Sequence, residues 1–147
     1  MHLSAKADYA LRATIHLAGA PAGPVKSEVI AAQQEIPQQY LESILGELRR
    51  SGFVVSQRGA HGGYWLSRPA SEISVADIVR TIDGPLTTIR GKRPEDITYA
   101  TAAEPLGAVW RAARNSLRDV LEAVSLADVV TGTLPHEVHR LSRLGLD

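Results

Sequence analysis

The side chains most suited to chemistry are polar groups set for hydrogen bonding. Gln38, Gln39, Glu42 and Ser43 fall within six residues, at spacings that put them along one side of a helix. Such short or planar polar groups near a helix N-terminus can hydrogen-bond base edges in a DNA groove. About fifteen residues on, Arg58 adjoins Gly59-Ala60-His61-Gly62-Gly63. An arginine beside a glycine-rich tip can reach the minor groove, where negative potential is focused. Lys6, Arg12, Lys26, Arg49 and Arg50 supply cations for phosphates, and Ser4 and Tyr40 complete the candidate DNA-facing set.

Other chemistry has little support. His136 and His139 are three apart, but two histidines do not make a metal site. His61 belongs with the glycine-rich tip and DNA. No Ser/His/Asp order, phosphate loop or carboxylate pair suggests an enzyme. No metal site and no cofactor are expected.

The elements that would position these groups can be read from periodicity. Ser27–Gln34 reads as a short helix, Glu35-Ile36 as a tight connection, and Pro37–Arg50 as a second helix. Pro37 suits a first helical position. Leu41, Ile44, Leu45 and Leu48 form an apolar stripe opposite the polar groups. Gly52 suits a C-cap, and Arg49 and Arg50 suit the negative last turn. Phe53-Val54-Val55 and Tyr64-Trp65-Leu66 read as strands flanking the tip. Helix, turn, helix and two-stranded wing make a winged helix-turn-helix, which places one helix in the major groove.

The flanking segments serve packing. A first helix is expected over residues 3–19, with Ala7, Ala10, Leu11, Thr14, Ile15 and Ala18 inward. Ser74 and Asp77 suggest a capping box, with Ile73 and Ile78 as a hydrophobic staple, on a helix ending at Gly84-Pro85. The segment Leu86–Ala103 carries no clear pattern. From Glu104 to about Val130 the apolar residues Leu106, Trp110, Ala113, Leu117, Val120 and Val124 alternate in steps of four and three. That is a coiled-coil seam, on a helix about 40 Å long at 1.5 Å per residue. It is expected to pair with a second copy. The fold expected is mainly α with a small β-wing. Its parts are a DNA-binding domain (1–84), a sensor or linker loop (85–103), a dimerisation helix (104–131) and a tail (132–147) that is a short helix or disordered.

Several motifs together resemble the Rrf-two family of bacterial transcriptional regulators. They are Leu3–Ala13, Tyr40-Leu41-Glu42, Leu48–Gly52 and Arg58–Tyr64, in order and at matching spacing over about residues 1–130. The resemblance implies a homodimeric winged-helix repressor on a near-palindromic operator. By position it puts Gln39, Glu42 and Ser43 where the recognition helix reads bases. It puts Arg58 and the adjoining glycines where the wing enters the minor groove. Many members hold an iron–sulfur cluster on three cysteines in the loop before the long helix, and Asp8 resembles a carboxylate that completes that site in some. This chain has no cysteine, the usual ligand of such clusters. A cluster-free member is therefore expected, with Asp8 a surface or interface residue. Its effector would be a small molecule near Leu86–Ala103 and Trp110, or a partner protein.

Composition sets the bounds. The 147 residues suffice for one domain with an extension. No apolar run can span a bilayer and no signal-peptide core is present, so a cytoplasmic protein without membrane contact is expected. The formal net charge is zero, with 7 Lys/Arg against 5 Asp/Glu in residues 1–68 and 9 against 11 in 69–147. The weak basic excess of the first half leaves one rival, a winged-helix interaction module that does not bind DNA. Affinity for double-stranded DNA would have to come from local cations and dimerisation.

Overall fold

The computed structural model describes residues 1–145; of the tail, residues 146 and 147 lie outside the described residues. Seven α-helices and one hairpin follow in order: α1 (Ala5–Gly19), α2 (Ser27–Gln34), α3 (Gln38–Arg50), β1 (Val54–Gln57), β2 (Gly63–Leu66), α4 (Val75–Asp83), α5 (Leu106–Ala123), α6 (Leu126–Thr131) and α7 (His136–Ser142). The chain is mainly α with a two-stranded antiparallel wing, as its hydrophobic periodicity predicts.

The helix-turn-helix is built on burial. Leu41, Ile44, Leu45 and Leu48 of α3 are all fully buried, beside Ile30 of α2 and Ala10 and Ala13 of α1. Each such leucine or isoleucine contributes about 1.5–3 kcal/mol by leaving water. Glu35 turns the chain in the left-handed region (φ 53°), and Ile36 anchors the turn in the core. Pro37 is the N-cap, one residue before the position its sequence suggests. At the other end the Gly52 N–H donates to the Arg49 carbonyl and the Phe53 N–H to that of Leu48, closing the helix so that the chain can reverse into β1.

The wing pairs Val54 with Leu66, Val55 with Trp65, Ser56 with Tyr64 and Gln57 with Gly63. Gly63 is thus a ladder residue. Val25, before α2, bridges Tyr64 through two backbone hydrogen bonds of 2.8 Å, which fixes the wing to the start of the helix-turn-helix.

Around α1 the inward residues are Ala7, Ala10, Ala13, Thr14 and Leu17. Leu11, Ile15 and Ala18 are only partly buried, so the buried stripe is rotated slightly from the expected one. The Ser74–Asp77 capping box forms in both directions, and Ile73 and Ile78 are buried together.

The expected unbroken helix over 104–130 is interrupted. α5 ends at Ala123, Val124 is extended, and α6 begins after Ser125. Ser125 and Asp128 form a second capping box, a signal that the continuing apolar period conceals. Ser74 and Ser125 lie side by side as an antiparallel bridge. The Val75 N–H donates to the Val124 carbonyl and the Leu126 N–H to that of Ile73, both at 2.9 Å. Backbone pairing between the two caps, with Leu126 fully buried in the main core, outweighs the propensity of 124–125 to continue the helix. In the tail, α7 is helical.

The segment Leu86–Ala103 is compact. Ile89 and Lys92 bridge around Arg90 and Gly91, both at positive φ, a tight hairpin turn. Pro94 and Ile97 are buried. The Trp110 Nε1–H donates to the Tyr99 hydroxyl at 2.8 Å, tying the segment to α5.

Candidate nucleic-acid interface

The inward stripe of α3 forces its remaining residues outward. Gln39, Glu42, Ser43, Arg49 and Arg50 are exposed, and Tyr40 is 62% exposed. Tyr40 leans on Tyr9 of α1, ring centroids 6.4 Å apart. Gln38 is held rather than free: its amide donates to the Ser27 hydroxyl at 2.9 Å and to the Glu42 carboxylate at 3.1 Å. This bridge sets the approach of α2 to α3 and orients Glu42. Gln39 and Ser43 have no side-chain hydrogen bond among the described residues and stand open.

The candidate cations fall into two groups. Lys26, Arg50 and Arg58 are exposed and make no side-chain hydrogen bond or ion pair among the described residues. Arg49 makes one exposed contact, donating to the Ser56 hydroxyl of β1 at 3.3 Å. These four surround α3 and its wing.

Three other members of the sequence-derived set are committed to the fold. Ser4 caps α1, accepting from the Ala7 N–H at 3.0 Å, and its hydroxyl and amide both donate to Asp83. Lys6 pairs with Glu47 of α3. Arg12 donates to the Gln34 carbonyl at 2.6 Å and stacks on Tyr9 at 4.8 Å. Its Nε lies 3.0 Å from the Asp8 carboxylate but out of hydrogen-bond alignment. These contacts clamp α1 to α2, α3 and α4. The reason is the same for all three: on α1 they face neighbouring helices, and spacing alone does not reveal tertiary partners.

At the wing tip Arg58, Gly59, Ala60 and His61 are exposed and Gly62 is buried. A Cβ on Gly62 would lie 2.0 Å from the Gln57 carbonyl oxygen, and one on Gly63 would lie 2.5 Å from that of Val25. These two glycines shape the wing rather than offer it a contact surface. Sequence reading missed the Val25 bridge, because a single extended residue leaves no periodic trace.

The residues of the seam expected on α5 differ in what they touch. Leu117 and Leu121 pack against Ala76, Val79 and Leu86 of the same chain. Trp110 is bound to Tyr99, and Val124 is buried beyond the helix end. Leu117 and Val124 thus make packing contacts within the chain. Ala113 is exposed and Val120 half-buried, and Val109, which the seam omits, is 54% exposed. At helical spacing these three form one narrow stripe of α5 that adjoins Leu117, four residues from Ala113 and three from Val120.

The donor set does not fit an iron–sulfur cluster. Cysteine is absent from the whole chain. The segment that precedes α5 carries Arg90, Lys92 and Arg93 beside Glu95 and Asp96. Among the described residues no three His, Cys, Asp or Glu side chains gather as a metal site. Asp8 is occupied by Arg12. No helix among the described residues is long and apolar enough to cross a membrane.

Comparison with known proteins agrees with this geometry. Residues 3–132 match the Rrf2 family model, described as an iron-dependent transcriptional regulator. Rv1287, a Mycobacterium tuberculosis protein described as an HTH-type transcriptional regulator, is 49% identical over 143 residues, 97% of this chain and 89% of the relative. The transcriptional regulator CymR of Bacillus subtilis is 32% identical over 134 residues, 90% of this chain and 92% of the relative. Its solved structure, named as that of the global cysteine regulator, superposes with a TM-score of 0.77 over 90% of this chain and 98% of CymR, at 30% identity. The structure of IscR from T. potens gives 0.72 over 90% of this chain and 88% of IscR, at 32% identity.

Proposed function

The chain belongs to the Rrf2 family of winged-helix transcriptional regulators, and on that premise we propose that it acts as a homodimeric repressor reading a near-palindromic operator, without an iron–sulfur cluster. The observation that carries the reading is the division of α3. Four fully buried aliphatic residues hold the helix, while Gln39, Tyr40, Glu42 and Ser43 are presented outward on the helix, with the exposed cations Lys26, Arg50 and Arg58 on the same DNA-binding unit. Gln39 and Ser43 are free to hydrogen-bond base edges. Glu42 can accept from a cytosine amino group, oriented by Gln38. Lys26, Arg49 and Arg50 meet phosphates, which fixes register without reading sequence. Arg58, carried on the wing, enters the minor groove. His61 sits beside it at the tip.

One recognition helix covers only a few base pairs, so two copies must be held about one or two helical turns apart. The stripe of α5 that carries Val109, Ala113 and Val120 is the surface proposed to pair with a second copy. A cytoplasmic site of action follows from this function.

The test is the Arg58→Ala variant on a recovered operator. Loss of a specific minor-groove contact should weaken binding by about 1–3 kcal/mol, roughly 5- to 150-fold, with the fold unchanged. Equal affinity of variant and wild type would remove the wing from the mechanism.

A further inference from the structure

We propose that a cleft between α4, the 86–95 segment and α5 binds a small carboxylate or phosphate anion and is the regulator's effector site. The cleft has a volume of about 370 Å³ and is lined by four arginines: Arg80 from α4, Arg93 from the segment, and Arg114 and Arg118 from α5. Pro85, Leu86, Thr87 and Pro94 also line it, with Leu86 and Pro94 buried. A volume at the lower end of the usual ligand range (about 300–1,000 Å³) suits a small metabolite.

The charge count is uneven in a chain whose formal net charge is zero. Arg80 and Arg118 share a single carboxylate, Glu122, at 2.6 and 3.1 Å. Arg114 pairs with Glu95 at 3.2 Å. Arg93 has no carboxylate within ion-pair distance among the described residues. Four cations therefore face two anions. Guanidinium forks match carboxylate and phosphate oxygens in bidentate geometry. Glu95 stays ionised, its carboxyl held below the usual range by a backbone hydrogen bond and then by the charges of Arg114 and Arg93. It thus offers a displaceable partner rather than a proton.

The position gives such an anion a consequence. α4 packs on α1 of the DNA-binding unit, whereas α5 carries the surface proposed for pairing. An anion spanning Arg80, Arg93 and Arg114 would draw the two together and alter half-site spacing. That consequence rests on the regulator reading, but binding to the cleft does not. Measured without DNA, its failure leaves operator binding untouched, and a failure of operator binding leaves this result standing.

The experiment is calorimetric titration of the full chain, in a buffer free of polyanions, with succinate, citrate, inorganic phosphate and glycerol 3-phosphate. Sodium chloride at equal ionic strength is the blank. Circular dichroism checks each variant. Saturable binding is expected in the carboxylate arm or the phosphate arm, and the arm that responds names the head group. Arg93→Gln, which breaks no ion pair among the described residues, should weaken it at least tenfold, as should Arg114→Gln. Arg143→Gln, distant in sequence and outside the cleft, should leave it unchanged. No saturable heat above the blank from any of the four probes would overturn the proposal. So would wild-type affinity in both cleft variants.

Discussion

Gly62→Ala separates the wing from the rest of the molecule. A Cβ at this position would lie 2.0 Å from the Gln57 carbonyl oxygen and 2.8 Å from the Arg58 carbonyl carbon. Both are backbone atoms of the same hairpin, so neither can swing aside as a side chain would. The tip must open, and the Gln57–Gly63 pair that closes the ladder is lost. One or two backbone hydrogen bonds at about 0.5–1.5 kcal/mol each, with overpacking strain of about 1–3 kcal/mol, give a cost of about 1.5–6 kcal/mol. Against a typical stability of about 5–15 kcal/mol the chain stays folded, because the core that holds α3 is built from residues outside the tip. The melting temperature should fall by about 5–18 °C, at roughly 3 °C per kcal/mol for a chain of this size. Operator affinity should fall with it, since Arg58 loses its support. Gly59→Ala is the control. Its φ is +103° but an added Cβ meets nothing within 4 Å, so it carries only the backbone penalty of about 1–2 kcal/mol. Thermal denaturation and fluorescence anisotropy on labelled operator DNA read both variants. A Gly62→Ala protein as stable as Gly59→Ala, with wild-type affinity, would refute the reasoning.

Val120→Glu should yield a folded monomer with weak operator binding, because an unpaired charge is strongly unfavourable in an apolar contact; light scattering showing a dimer would contradict this. Leu117→Glu should instead lower the melting temperature of the monomer itself, since Leu117 packs on Ala76, Val79 and Leu86; an unchanged melting curve would count against that packing. Protein purified anaerobically should be colourless and its DNA binding indifferent to oxygen and nitric oxide, because the chain lacks thiolates; a stoichiometric visible iron–sulfur spectrum would overturn that.

The parts legible in the sequence are those governed by short-range rules. The period of Leu41, Ile44, Leu45 and Leu48, the Ser74–Asp77 box and the strands around the glycines each state their structure within a few residues. The failures involve choices between local rules. Ser125-Leu126-Ala127-Asp128 is as good a capping box as Ser74-Val75-Ala76-Asp77, yet a seam pattern running through it reads as continuous helix. Only the pairing of the two caps decides between them. In the candidate interface, outward residues of α3 follow directly from the buried stripe. The commitments of Ser4, Lys6 and Arg12 do not, because Asp83, Glu47 and Gln34 lie 79, 41 and 22 residues away. The arginine cleft is hidden for the same reason: its four cations span Arg80 to Arg118 with no common period.

The central claim is sequence-specific DNA recognition by paired recognition helices. The most direct measurement is recovery of fragments from the source genome by the purified full-length protein, with sequencing of what is retained. Binding of a recovered fragment is then titrated against salt. The account predicts enrichment of a few sites sharing a two-fold-symmetric sequence, with half-site centres one or two helical turns apart and a steep loss of affinity as salt rises. Uniform retention of the genome, or equal affinity for recovered and bulk DNA at the same salt, would contradict it and favour an interaction module that keeps the fold without reading DNA.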